Sequence, residues 1–249
     1  MNSFTAGIIV IGDEILSGRT QDSNSNFIAK NLLKNGIKLE EVIVIKDDKN
    51  TIIDRVINYS DKYSYVFTTG GIGPTHDDIT AISIAEAFGL KFEINQDAYN
   101  ILNNYYPKGE FNNSRQRMAM MPIGSELILN PMTAAPGFKI KNVYVLPGVP
   151  EIMQIMFIEL IKRLKKGKPK LVKTINTNLY ESKIAIFLKE IQDKYKDSSI
   201  GSYPYFNLAA KTGGVNIVVS SWNMTSVQPV VDDIINKIEL NGGKSSIVW

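Results

Sequence analysis

Residues 65–80 read YVFTTGGIGPTHDDIT. An apolar run of strand length, Tyr65–Thr68, enters a loop carrying Gly70, Gly71 and Gly73; a helix is expected from about Asp78 to Phe88, closed by Gly89. Outward from this stretch the alternation repeats. Ala6–Ile11 (AGIIVI) is a continuous apolar run, the pattern of a strand buried on both faces, and it ends in Gly12-Asp13-Glu14. A helix over about Asn24–Asn35 follows, capped by Asp22 or Ser23, with Ile28, Leu32 and Leu33 inward and Gly36 at its end. Val42–Ile45 reads as a second strand, and Thr51–Lys62 as a helix with Ile53, Val56 and Ile57 on one side. Strands alternating with helices imply a mainly parallel sheet covered on both faces, a three-layer α/β/α fold.

Further along, a helix over Gln96–Tyr105, a polar loop and a β-rich stretch over Leu127–Leu146 are expected. Pro147-Gly148-Val149-Pro150 then turns into a helix over Glu151–Leu164. From Thr174 the pattern is β-α-β-β-α: a helix over Tyr180–Tyr195 with Ile184, Phe187, Leu188 and Ile191 on one face, strands at Ile200–Phe206 and Val215–Ser220, and a last helix capped by Thr225. Gly242–Ser246 (GGKSS) reads as a frayed tail. The expected division is a first domain over 1–166, a basic linker over 167–173 and a small α+β domain over 174–249.

Composition limits the chemistry. The 249 residues include no Cys, which excludes disulfides, thiolate catalysis and Cys-ligated zinc or iron–sulfur sites. The single His, His76, excludes any site built on two imidazoles, so a metal here is a hard cation held mainly by oxygen. The net charge of +3 is misleading: Lys162–Lys173 (KRLKKGKPKLVK) holds seven basic residues and no acidic one, and the rest of the chain is mildly acidic. No apolar run approaches the ~18 residues that span a bilayer. The N-terminus has no positive flank, so a cytoplasmic protein without a membrane anchor is expected.

In a parallel sheet, ligands bind beyond the carboxyl ends of the strands. Two conspicuous loops leave such ends, Gly12-Asp13-Glu14 and Gly70–Asp78. Glycines at 70, 71 and 73 let backbone N–H groups face an anion, and the following helix adds its positive end. Two readings stand side by side. Thr75-His-Asp-Asp78 fits a capping box at the end of an ordinary glycine turn. Alternatively, the loop is a phosphate cradle in which Asp77 and Asp78, with Asp13 and Glu14 from the neighbouring loop, hold a cation of the Mg²⁺ type. Other motifs fail: the glycine loop is not GxGxxG, Gly242–Ser246 lacks the leading Gly of a P-loop, and no GxSxG surrounds a nucleophile.

GDEILSGRTQDSNSNFIAKNL from Gly12, TTGGIGPTHDDIT from Thr68, APGF from Ala135 and LPGVPEIM from Leu146 resemble, in order, the MoaB/Mog-like (molybdopterin-binding) domain family. Within it they look like the branch at the N-terminus of CinA, the competence/damage-inducible protein, and are similar to the corresponding domain of eukaryotic FAD synthases. The segment around Gly201-Ser-Tyr-Pro204 resembles the small KH-like region that follows in CinA. The resemblance covers about residues 4–165. It implies a groove that binds a pterin or an adenine dinucleotide, contacted by Asp13, Glu14, Asp22, Asn24, Gly70, Gly71, Gly73, Thr75, Asp77 and Asp78. Pro136, Gly137, Pro147, Gly148 and Pro150 would close its far side. Two departures stand out. Thr133 and Ala134 replace a glycine and a hydroxyl residue of the family's loop, and the deamidase or synthetase domain of the longer relatives is not expected in this chain.

The leading expectation is therefore a divalent-metal-dependent (Mg, Mn or Co) pyrophosphatase of ADP-ribose or FAD, with Asp77, Asp78 and Asp13 as metal and catalytic groups. The alternative is a molybdopterin-binding or adenylylating protein. A nucleic-acid platform on the basic belt is a minor reading, because KH modules clamp the backbone with GxxG and residues 174–249 contain none. The resemblance also implies a homo-oligomer, a dimer.

Overall fold

The computed structural model describes residues 4–208, 212–223 and 225–248. The outermost residues of the expected domains, 1–3 and 249, lie outside them. Contacts divide the chain into Met1–Gly167 and Lys168–Trp249.

In the first unit the strands are β1 (Phe4–Ile11), β2 (Ile37–Ile45), β3 (Tyr65–Thr69), β4 (Phe92–Ile94), β5 (Met120–Pro122), β6 (Glu126–Ile128), β7 (Gly137–Ile140) and β8 (Val143–Leu146). Its helices are α1 (Asp13–Leu16), α2 (Asn24–Lys34), α3 (Lys49–Lys62), α4 (Thr80–Ala87), α5 (Gln96–Tyr105), α6 (Asn113–Gln116) and α7 (Pro150–Ile161). The main sheet runs β2-β1-β3-β8-β7-β6. Its first four strands are parallel, and β7 and β6 add an antiparallel edge.

β1 explains why the strands are apolar throughout. Ala6, Ile8 and Val10 face one layer, against Ile28 and Leu32 of α2 and Met153 and Phe157 of α7. Ile9 and Ile11 face the other, against Ile52, Val56 and Tyr59 of α3 and Ile84 of α4. Each side chain is buried on the face to which the period of two assigns it. The three-layer α/β/α architecture expected from the sequence is the one observed.

Several local expectations are corrected. The second strand is nine residues long, pairing with β1 along its whole length. α3 begins at Lys49 because the Asp48 carboxylate accepts the Thr51 N–H (2.9 Å). Its buried face is then Ile52, Val56 and Tyr59, not Ile53 and Ile57. α4 starts at Thr80, two residues late, because residues 75–78 form a separate turn. The stretch after α5 is not a plain loop: α6, a 3₁₀ turn over Arg117–Ala119 and β5 return the chain to pair with β4.

The second unit contains β9 (Leu171–Thr177), α8 (Glu181–Lys194), β10 (Ser199–Asn207), β11 (Thr212–Ser221), α9 (Val227–Leu240) and β12 (Ser245–Ile247). Its antiparallel sheet runs β10-β11-β9-β12. Ile184, Phe187, Leu188 and Ile191 of α8 and the valine–isoleucine face of α9 pack on Ile175, Val215, Ile217 and Val219. Ser245–Ile247 is not a frayed tail but an edge strand on β9, anchored by the Lys244 N–H on the Asn178 side-chain oxygen (2.7 Å). The basic stretch is likewise more ordered than a linker, since Leu171–Lys173 already belong to β9. Among the described residues no helix is long and apolar enough to cross a membrane.

Candidate functional site

Because β2, β1, β3 and β8 are parallel, the loops that leave Ile45, Ile11, Thr69 and Leu146 emerge at one end of the sheet. The order β2-β1-β3 also makes β1 and β3 the place where successive connections diverge, opening a crevice between them. A groove of about 510 Å³ lies there.

The glycines are fixed by geometry. Gly70 has φ +104° and Gly71 φ +67°, both in the left-handed region. A Cβ on Gly70 would collide with the Ile11 carbonyl, and one on Gly71 with the Thr80 hydroxyl. The loop is pinned by Thr80, whose hydroxyl donates to the Gly70 carbonyl (3.0 Å) and whose N–H donates to that of Gly71 (3.0 Å). Among the described residues, the N–H groups of Gly71, Ile72 and Gly73 donate to no other group of the chain. The Asp78 carboxylate accepts the Thr75 N–H (2.8 Å) and hydroxyl (2.6 Å), which closes the turn and folds that carboxylate against Gly73. The capping-box pattern is thus real, but it closes a turn beside the groove instead of starting α4.

Carboxylates converge on the same groove. Glu14, Asp47, Asp77 and Asp78 line it, and none of its described lining residues is basic. Asp47 follows β2 and accepts the Asp13 N–H (2.9 Å), tying two loops together. Burial pushes the Asp47 carboxyl above its ordinary range against that hydrogen bond, and the negative charges of Asp13, Glu14 and Asp77 push it further. Asp77 is held below its ordinary range by hydrogen bonding within the turn opened by Thr75, its own backbone N–H included, with His76 and Arg117 adding attraction. His76 is almost fully exposed and stands 4.0 Å from Asp77.

The expected residues fall into two sets. Glu14, Gly70, Gly71 and Gly73, then Asp77 and Asp78, then Pro136, Pro147, Gly148 and Pro150 all line the groove. Asp13, Asp22, Asn24, Thr75 and Gly137 do not. Asp13 gives its backbone to Asp47 while its side chain is exposed. Asp22 caps α2, accepting the N–H groups of Asn24 (3.0 Å) and Ser25 (3.1 Å). Asn24 donates to the Gly148 carbonyl (2.8 Å), and its buried side-chain oxygen has no partner in the chain, as is true of the Thr69 hydroxyl. Both belong to a cavity of about 50 Å³ beside the groove. Gly137 is buried in β7, where a Cβ would strike the Val145 carbonyl.

Sequence reading missed Asp47 and Met118, and it marked Thr133 only as a departure from the family's loop, although Asn130 and Thr133 both line the groove. Asp47 was accessible through the same carboxyl-end rule, applied to β2. Asn130 folds the departing loop: its amide donates to the Thr133 hydroxyl (2.6 Å) and Ala135 carbonyl (3.0 Å), and Ala134 takes the left-handed conformation at φ +62°. Among the described residues no group of three carboxylate or imidazole side chains is close enough to cage a metal by itself, so Asp77, Asp78 and Asp13 do not form a ready-made ligand set. Glu14, Asp47, Asp77 and Asp78 are the groove's described carboxylates that could contribute oxygen donors to a cation.

Residues 7–166 match the family described as probable molybdopterin binding domain. The chain belongs to that family. This molybdopterin-binding-type domain is followed at residues 169–242 by a match to the middle domain of FAD synthase. A protein of Archaeoglobus fulgidus is 38% identical over 197 residues, covering 79% of this chain and 84% of that protein. A probable FAD synthase of Caenorhabditis elegans is 33% identical over 226 residues, covering 80% of this chain but 44% of its own length. The solved structure of CinA from Thermoplasma acidophilum superposes with TM-score 0.61 and 32% identity, covering 65% of this chain and 98% of that one. The molybdopterin-binding-type domain of this chain is therefore of the CinA-like kind.

Proposed function

We propose that this chain hydrolyses a pyrophosphate-bridged dinucleotide, such as ADP-ribose or FAD, with a divalent cation. The observation that carries this reading is the groove's charge: among the described residues, four carboxylates and no basic side chain line a groove whose backbone N–H groups at Gly71, Ile72 and Gly73 lack partners. An anion entering alone meets only repulsion from those carboxylates, whereas an anion with a divalent cation meets a compensated site. The N–H groups of Gly71, Ile72 and Gly73 would hold the phosphate oxygens. Asp77 and the second oxygen of Asp78 would hold the cation. When bound, it would supply neutralisation of phosphoryl charge and a more acidic water. Water adds to one phosphorus, the bridging P–O bond breaks, and two monophosphates leave.

The second reading, molybdopterin binding without turnover, is favoured by the family description. A panel of ADP-ribose, FAD and molybdopterin with Mg²⁺, Mn²⁺ and Co²⁺ separates the two. Release of AMP only when a divalent cation is present supports hydrolysis; tight pterin binding with no turnover of either dinucleotide supports the second reading.

A further inference from the structure

Beside the groove lies a second, mostly apolar cavity of about 200 Å³, walled by Ile82 of α4, Phe92 of β4 and Phe138 of β7. Arg117, at the start of the 3₁₀ turn, is the one basic side chain among its described lining residues. Ile72 and Gly73 line both spaces, so Arg117 and the groove share the glycine loop as a wall.

Two arginines in this segment are used differently. The Arg115 guanidinium is engaged by the Glu110 carbonyl (2.6 Å) and carboxylate (3.0 Å) and lies over the Tyr106 ring (4.1 Å). It holds its own loop together. Arg117 is exposed, and among the described residues its guanidinium has no hydrogen-bond or ion-pair partner. Its charge nevertheless reaches the groove, where it attracts the Asp77 carboxylate.

We propose that Arg117 binds a ligand phosphate at the edge of the groove and thereby couples ligand binding to cation binding. The inference rests on the reading that the groove holds phosphate, and it adds a residue from outside the groove's described lining. A divalent cation offsets a doubly negative pyrophosphate but not the groove's carboxylates as well, so a further positive charge favours entry of the ligand. Arginine suits the task, because it stays charged and its planar fork matches two phosphate oxygens. In the free protein Arg117 offsets the charge of Asp77, whose side chain is 71% exposed, so that attraction is weak and readily given up. With ligand bound, Arg117 pairs with phosphate and leaves Asp77 to the cation. The coupling is reciprocal: phosphate tightens the cation, and the cation tightens phosphate.

Two titrations of the full chain test this without requiring turnover: free Mn²⁺ followed by its electron paramagnetic resonance signal, and AMP followed by calorimetry at saturating Mn²⁺. Arg117→Gln should bind Mn²⁺ alone ~2–5-fold more tightly, because the competing charge is gone. The same variant should bind AMP at least ~10-fold more weakly. Arg117→Lys keeps the charge and loses the fork, so Mn²⁺ affinity should stay at the wild-type value while AMP affinity falls. A merely structural role would weaken both ligands together, and that result overturns the inference, as does an unchanged AMP affinity in Arg117→Gln. Weaker AMP with unchanged Mn²⁺ in that variant overturns the coupling. Opposite shifts without AMP release from ADP-ribose would count against hydrolysis alone, and wild type that binds no AMP at any Mn²⁺ concentration overturns both readings.

Discussion

Asp47 shows how one side chain sets the electrical state of the groove. Its carboxyl is raised by burial and by Asp13, Glu14 and Asp77, so the protonated form is favoured in the folded chain relative to the unfolded one. The stability this contributes is present below the unfolded pKa of about 3.9 and is lost as pH rises through the higher folded value. At neutral pH the ionised side chain therefore opposes folding of the cation-free protein. Asp47→Asn keeps an acceptor for the Asp13 N–H and removes the charge. Thermal melts in chelator should show the variant more stable than wild type at pH 7, with the gap closing toward pH 4. An equal gap at both pH values would deny that ionisation of the part-buried Asp47 is the cause. Gly70 is the complementary case, where backbone geometry and not charge dictates the residue: φ of +104° and the Ile11 carbonyl leave no room for a side chain.

At the scale of elements, the seam between α7 and the sheet carries much of the first unit. Phe157 is fully buried, edge-on to Phe67 (5.3 Å between centroids) and to Phe27 (6.4 Å). Phe157→Ala should cost about 3–5 kcal/mol in denaturant unfolding, because a phenyl-sized cavity cannot collapse between a helix and a strand. Elements of this kind were legible: β1 and β3 as apolar runs, α8 and α9 by their helical spacing. The glycine loop and the proline turn before α7 marked the ends of the sheet at which the groove opens. What stayed hidden depends on partners distant in sequence. β4 and β5 are three-residue strands that exist only because each pairs with the other across some 25 residues. β12 needs β9 as its edge. The roles of Asp22, a helix cap, and of Asp13, which engages Asp47 through its backbone N–H, follow from backbone paths that residue type does not encode.

For the whole molecule, all described lining residues of the groove and of the adjoining apolar cavity come from the first unit, which has its own two-sided core. Residues 1–167 expressed alone should therefore fold cooperatively and retain cation-dependent binding of AMP within about threefold of the full chain. A first unit that aggregates or binds nothing would show that the second unit completes it. The basic stretch that dominates the net charge lies at the division between the units and contributes no side chain to the groove. In the proposed reaction, carboxylates draw the ligand in through a shared cation. The most direct measurement is the initial rate of AMP release from ADP-ribose by wild type and Asp77→Asn across a Mn²⁺ titration. No release is expected without the cation, and for the variant a rate at least ~100-fold lower with half-saturation at higher Mn²⁺. A variant with wild-type rate and wild-type metal dependence would contradict it.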